Sequence, residues 1–138
     1  MSYGENPGKV LTIQTTLTYS KDENFGHASA GKDLVLSMIQ TGSDAGKGQI
    51  GTDGDQILGK FLSLDPQGVA SYMVNGMPMV LRKSDAAIVP GRGLLCAADG
   101  KVKSTPATAT AASASKQRGF VNNVLETGDN GRILAYMP

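Results

Sequence analysis

Residues 57–82 read ILGKFLSLDPQGVASYMVNGMPMVLR, and this stretch decides the fold class. Asp65-Pro66-Gln67-Gly68 favours a β-turn, because Pro presets φ at the second position and Gly ends the turn. Asn75-Gly76 predicts a β-hairpin with a type I′ turn, because both residues tolerate positive φ. The stretch therefore predicts three short strands, over residues 57–64, 69–74 and 77–82.

Apolar segments before this stretch predict further strands. Residues 10–18 are dense in β-branched side chains and predict a strand. Residues 33–40 are too short for periodicity to separate a strand from a helical turn, and we interpret them as a strand. Pro78 has no N–H to give to a sheet, so its strand should lie at an edge or contain a bulge.

Two more hairpins are predicted in the C-terminal half. The first covers residues 94–103 and turns at Asp99-Gly100. The second covers residues 119–137 and turns at residues 128–131, which read Gly-Asp-Asn-Gly. Because it ends the chain, we interpret the second hairpin as the one that closes the fold.

Together these segments predict eight or nine short strands and little helix. The 138 residues include 18 Gly, which disfavours long helices. We predict an all-β fold, a small antiparallel β-barrel or sandwich with an extended N-terminal arm. A Gly-rich segment (41–56) and an Ala/Thr/Ser-rich segment (104–116) are predicted to be long loops. The predicted division is an arm with one strand over residues 1–31 and a single compact β domain over residues 32–138.

Charge and cysteine content exclude several classes of protein. The 13 basic and 12 acidic residues give a net charge of +1. Nucleic-acid-binding proteins concentrate positive charge, so nucleic acid is not an expected partner.

No secretion signal is visible, and no apolar run approaches the roughly 20 residues that span a membrane. The single Cys cannot close an intramolecular disulfide, which suits a reducing cytoplasm.

No constellation of residues predicts catalysis or metal binding. His27 lies in a polar segment, and we interpret it as an exposed loop side chain. The apolar neighbours of Cys96 predict a small buried side chain rather than a reactive thiolate. Asp44, Asp53 and Asp55 lack the alternating ligands of an EF-hand loop. We expect no catalytic residue, no metal and no cofactor.

The densest group of basic residues has a simple interpretation. It consists of Lys101, Lys103, Lys116 and Arg118. No aromatic residue lies among them to stack on nucleic-acid bases. We therefore expect these four side chains to form a solvated surface.

The first predicted strand leaves two alternatives open. Leu11, Ile13 and Leu17 share one parity, so they are predicted to face an apolar surface on one side of the strand. That surface belongs either to the core of the same domain or to a neighbouring subunit. In the second case, residues 10–18 or the arm before them add to a neighbour's sheet and satisfy its open edge.

The last fifty residues resemble a known family. Their features are a Pro90-Gly91 turn, the apolar Leu94-Leu95-Cys96, the Asp99-Gly100 hairpin, a low-complexity Thr/Ala/Ser insert and a terminal strand over 131–137. This order of turns and strands resembles tailed-phage capsid cement, or head decoration, proteins. Residues 33–82 resemble them in general character, whereas the N-terminal arm and the 41–56 segment depart from the pattern.

The resemblance implies a non-enzymatic virion protein made in the bacterial cytoplasm. Such a protein binds the exterior of an expanded bacteriophage head, often as a trimer, and stabilises the contacts between major capsid protein subunits. The candidate contact residues on the arm and the first strand are Tyr3, Val10, Leu11, Ile13 and Leu17.

Other functions are kept as alternatives. A tail or connector protein would also be a β protein built for assembly. A receptor- or carbohydrate-binding module usually presents aromatic rings, and this chain has 3 Phe, 4 Tyr and no Trp. A small hydrolase would need His27 to pack against Asp and Ser from distant strands.

Overall fold

Ten strands in two antiparallel sheets form nearly all of the regular structure. The computed structural model of the chain describes residues 8–108 and 110–138. The first sheet contains β1 (Val10–Gln14), β2 (Val35–Met38), β3 (Gly48–Ile50), β4 (Gly59–Leu64) and β5 (Val69–Met73), in the order β1-β5-β4-β2-β3. The second sheet contains β6 (Gly76–Arg82), β7 (Gly93–Cys96), β8 (Val102–Ser104), β9 (Arg118–Val124) and β10 (Arg132–Met137), in the order β6-β10-β9-β7-β8. The predicted all-β class is confirmed.

Of the two predicted architectures, the structure has the sandwich. In the first sheet, an isolated bridge between Thr15 and Gly48 joins the two edges. A bridge between Lys83 and Val102 does the same in the second sheet. Within the described residues the edge-to-edge pairing stops at these single bridges, so neither sheet is a closed barrel.

The predicted turn at residues 65–68 is confirmed in detail. The Oδ1 atom of Asp65 accepts hydrogen bonds from the N–H groups of Gln67 and Val69, both at 2.9 Å. Gly68 has a φ of +80°, which favours glycine, and its N–H donates to the Asp65 carbonyl at 3.0 Å. The turn joins β4 and β5 as an antiparallel pair. The two predicted C-terminal hairpins are the antiparallel pairs β7–β8 and β9–β10.

The predicted hairpin at Asn75-Gly76 is wrong. β5 and β6 belong to different sheets, and neither Asn75 nor Gly76 has the positive φ of a type I′ turn. The physical reason is that β5 already pairs with β1 on one side and β4 on the other, so β6 has no free side to occupy. The Asn75 side chain instead accepts a hydrogen bond from the Lys9 N–H at 2.7 Å. The chain crosses here from the first sheet to the second.

Pro78 lies where its missing N–H is tolerated. β6 is an edge strand of the second sheet, as the sequence predicts. The pairing of β6 with β10 is also irregular between Ala135 and Met137, close to Pro78. A proline at an edge does not remove a hydrogen bond from the sheet interior.

Two predicted loops contain regular structure. The 41–56 segment contains β3, because backbone pairing with β2 does not require apolar side chains. The 104–116 segment contains the helix α1 (Ala111–Lys116), whose first turn is capped by the Thr110 side chain accepting from the Ser113 N–H at 3.2 Å.

In the described part of the chain, no helix is long and apolar enough to cross a membrane.

Two apolar cores lie on opposite faces of the first sheet. Val35 and Leu36 are successive residues of β2, and their side chains point to opposite faces. Leu36 belongs to a cluster on one face of the first sheet, with Ala30, Phe61, Leu64, Ala70 and Tyr72. Val35 and Ile57 join a second cluster, whose other members come from the second sheet: Met79, Leu81, Leu94, Cys96, Val102, Val121, Ile133, Ala135 and Met137.

The predicted basic surface is divided between different environments. Lys101 pairs with Asp129 at 2.9 Å, and Lys103 pairs with Asp53 at 2.8 Å. Arg118 is half-buried rather than solvated. Its guanidinium donates to the main-chain carbonyls of Ile57, Leu58 and Val74, which border strands β4 and β5 of the first sheet. The expectation of one solvated basic surface is therefore wrong for Arg118. The positions of the basic residues in the sequence do not reveal which of these side chains turns inward.

Cys96 is a buried core side chain, as predicted. Its side chain is inaccessible to solvent within the cluster shared by the two sheets. Burial, helped by the charges of Asp55 and Asp53, raises the pKa of its thiol from the ordinary 9.0 to about 12. The thiol is therefore neutral and unreactive in the folded protein at physiological pH.

We expect Cys96 to make the protein less stable in alkaline solution. Above pH 9 the thiol of the unfolded chain loses its proton, whereas the folded protein keeps it until about pH 12. Stability from this group is complete below pH 9 and is lost as pH rises toward 12. Between pH 8 and pH 10, the free energy of unfolding should fall by about 1.4 kcal/mol more than in the Cys96→Ala variant. Urea denaturation at both pH values measures the difference, and equal losses would contradict the assignment.

Candidate docking edge

The structure divides the sequence-predicted contact residues into two groups. Val10 and Leu11 are exposed on β1, with 50% and 39% of their surfaces accessible. Ile13 and Leu17 are half-buried and pack against the core cluster that contains Leu36. Tyr3 lies outside the described residues. The exposed candidates are therefore the two at the start of β1.

β1 is an edge strand of the chain's own first sheet. It pairs antiparallel with β5, from Val10 opposite Met73 to Gln14 opposite Val69. Of the two alternatives for this strand, pairing within its own chain is therefore realised on one side. The other side of β1 faces away from the sheet and carries no paired strand among the described residues. The predicted division between an arm and a domain at residues 31 and 32 stays a prediction.

The register shows which backbone groups face the open side. The Val74 N–H donates to the Lys9 carbonyl at 2.8 Å, and the Thr15 N–H donates to the Gly68 carbonyl at 2.9 Å. Antiparallel pairs alternate between those that exchange hydrogen bonds and those that do not. The odd-numbered residues of this strand therefore bond to β5. The backbone groups pointing outward belong to the even-numbered ones: Val10, Thr12 and Gln14.

These outward groups form a short unpaired row. Among the residues that the structure describes, no backbone partner is found for the N–H groups of Val10, Thr12 or Gln14. The next outward N–H, that of Thr16, donates to the Gly48 carbonyl of β3 at 3.3 Å. The open edge therefore extends over residues 10–14 and ends where the two edges of the first sheet meet.

The other edge strands are better covered. On β6, Pro78 has no N–H and the Arg82 N–H donates to the Asp33 carbonyl at 2.9 Å. On β8, the Val102 carbonyl accepts from the Ser84 N–H at 3.0 Å. On β3, Gly48 accepts from Thr16. Within the described residues, β1 is the edge where three consecutive outward N–H groups have no backbone partner.

The side chains of β1 do not protect its edge. Edge strands in natural proteins are commonly guarded by charged residues or proline, which prevent another strand from pairing. β1 reads VLTIQ and contains neither. The nearest charged residue in the sequence is Lys9, just before the strand. An uncharged edge with exposed Val10 and Leu11 is suited to accept a partner strand.

The sequence interpretation missed Phe25. Phe25 is the most exposed large apolar side chain in the described chain, at 62%, and has a φ of 57° in a 3₁₀ turn over Asn24–Gly26. Left-handed backbone is unusual for a bulky residue. The available signal was an aromatic directly before a glycine in a polar segment. His27, interpreted as an exposed loop residue, is half-buried, with its ring centroid 5.7 Å from that of Phe61.

The acidic residues considered for metal binding are separated. Asp44 pairs with Lys47 at 2.9 Å, and Asp53 pairs with Lys103 at 2.8 Å. Over residues 8–108 and 110–138, no three His, Cys, Asp or Glu side chains are grouped as a metal site would require. The backbone edge of β1 is the stronger candidate for function.

A pair of proline variants tests the register of the open edge. Thr12→Pro removes an outward N–H, whereas Leu11→Pro removes an N–H directed at Tyr72 of β5. Both native side chains are exposed. We expect Thr12→Pro to lower the free energy of unfolding by less than about 1 kcal/mol, and Leu11→Pro by about 2 kcal/mol more. Urea denaturation measures both, and equal losses would show that the register is wrong.

Neither a scan against protein-family models nor a search of curated proteins returns a match for this chain.

Proposed function

We propose that this protein is a structural component of a bacteriophage virion. It binds the exterior of the expanded head and stabilises contacts between major capsid protein subunits. The observation that carries the proposal is the uncharged edge of β1, whose three outward N–H groups have no backbone partner in the described chain. The resemblance of the last fifty residues to head decoration proteins supports the same function.

The proposed contact is strand addition. A strand of the capsid protein pairs with β1 and satisfies the outward N–H and C=O groups of Val10, Thr12 and Gln14. Val10 and Leu11 point to opposite faces of β1, so they flank the added strand on both faces. Their exposed surface supplies apolar contact that backbone hydrogen bonds alone lack.

A single contact of this size is weak. A hydrogen bond contributes about 1 kcal/mol net, and the open edge offers only three residues. Several copies held in one oligomer convert later contacts into intramolecular ones, which raises affinity by about 10² to 10⁴. We therefore propose that the protein acts as a homo-oligomer, with a trimer as the expected state. In this role the protein binds capsid subunits and does not act as an enzyme.

Binding to undecorated expanded heads tests the proposed function. Purified protein is mixed with heads, and bound protein is measured by sedimentation. We expect saturation at a fixed ratio to the major capsid protein and increased resistance of the heads to heat. Absence of saturable binding, or equal binding to isolated tails, would contradict a head decoration function.

Substitutions in β1 test the proposed contact. Leu11→Lys leaves the backbone of β1 intact but adds a charge beside the incoming strand. We expect it to weaken head binding at least about 10-fold, equivalent to about 1.4 kcal/mol. Leu125→Lys is the matched control, because Leu125 is similarly exposed, at 46%, but lies after β9 of the second sheet. Equal effects of the two variants would place the contact elsewhere on the protein.

A further inference from the structure

A pocket lies at the end of the first sheet, where that sheet meets β9. Its volume is about 320 Å³. Met38, Leu58 and Val74 supply apolar lining, Gln40 and Gln56 supply amides, and Arg118 supplies a charge. Small-molecule sites commonly combine apolar walls with a few polar groups that orient the ligand. This volume is near the lower limit for such sites, so it suits a small group.

Arg118 is held in this pocket by three main-chain carbonyls. Its Nη1 donates to the carbonyls of Ile57 at 3.2 Å and Leu58 at 2.7 Å, and its Nη2 donates to the carbonyl of Val74. These contacts fix the guanidinium between β9 and the segments that border β4 and β5. A guanidinium has five N–H donors. The Nε–H and one N–H of Nη2 remain without an acceptor among the described residues.

The charge of Arg118 has no counterion in the described part of the chain. Five ion pairs are present there, and none includes Arg118. Burial lowers the pKa of the Arg118 guanidinium, which is the direction expected when a cation loses water without gaining an anion. A half-buried cation of this kind is stabilised by an anionic ligand.

We propose that this pocket binds a carboxylate group carried on a short apolar stem. Two donors remain on Arg118, and a carboxylate has two oxygens that can accept from a guanidinium in a bidentate pair. Met38, Leu58 and Val74 contact the stem, and the amides of Gln40 and Gln56 add donors at the charged end. One cation and an apolar lining fit a carboxylate better than a phosphate, which carries more charge. The proposal does not depend on the proposed head binding.

Titration with matched probes tests the site. Sodium butyrate and the capped amino acid N-acetyl-glutamate amide carry the carboxylate, whereas butyramide and N-acetyl-glutamine amide are their neutral counterparts. We expect the Arg118 Nε–H and Leu58 amide signals in ¹H–¹⁵N spectra to shift saturably with a carboxylate. The matched amide should bind at least 10-fold more weakly. Preference for butyrate indicates a small-molecule ligand, and preference for the capped glutamate indicates a side chain of a partner protein.

Two outcomes would overturn the proposal. One is that neither carboxylate shifts these signals, or that the neutral amides bind equally well. The other is that inorganic phosphate binds as tightly as the better carboxylate.

A charge variant tests the location without touching Arg118. Gln40→Glu places a negative charge in the pocket lining, where it should weaken carboxylate binding at least fivefold. Gln67→Glu is the matched control, since it makes the same charge change on an exposed turn between β4 and β5. Carboxylate binding should be unchanged by this control. Equal binding by the two variants would show that the carboxylate does not occupy the pocket.

Discussion

A β-strand has two sides that can form hydrogen bonds, and β5 uses both. β1 pairs on one side and β4 on the other. The chain that leaves β5 therefore cannot fold back onto it, and at Asn75 and Gly76 it starts a second sheet. The two sheets, the core between them and the position of Arg118 near the crossing all follow from this occupied strand. The Val74 carbonyl, which accepts from Arg118, is directly before the crossing.

The same pairing creates the open edge. β1 covers one side of β5, and its own outer side is left without a partner in the described chain over residues 10–14. The isolated bridge from Thr15 to Gly48 limits this edge, because beyond Gln14 the chain meets β3. The sheet therefore presents a short edge, and this length is why the proposed function relies on several weak contacts rather than a single tight one.

The sequence predicted local structure well and long-range pairing poorly. The Asp65–Gly68 turn was predictable because its hydrogen bonds lie within five residues. β3 was not, because Gly48 and Gln49 offer little side-chain signal and are held by backbone pairing to β2. For the docking edge, the exposure of Val10 and Leu11 agrees with their selection, whereas Ile13 and Leu17 pack inward. The alternation of side chains along the strand assigned Ile13 and Leu17 to an apolar surface. It could not show whether that surface belongs to the same domain or to a neighbouring subunit.

The amino-acid sequence by itself determined the all-β class, most strand positions, the turns at residues 65–68 and 128–131, and the buried environment of Cys96. These properties follow from side-chain alternation and from backbone preferences over a few residues. Only the tertiary structure decided which strands are neighbours, which edge stays open and which basic side chain turns inward. The reason is that a strand's second partner and a cation's counterion come from distant parts of the chain, and no local pattern records them.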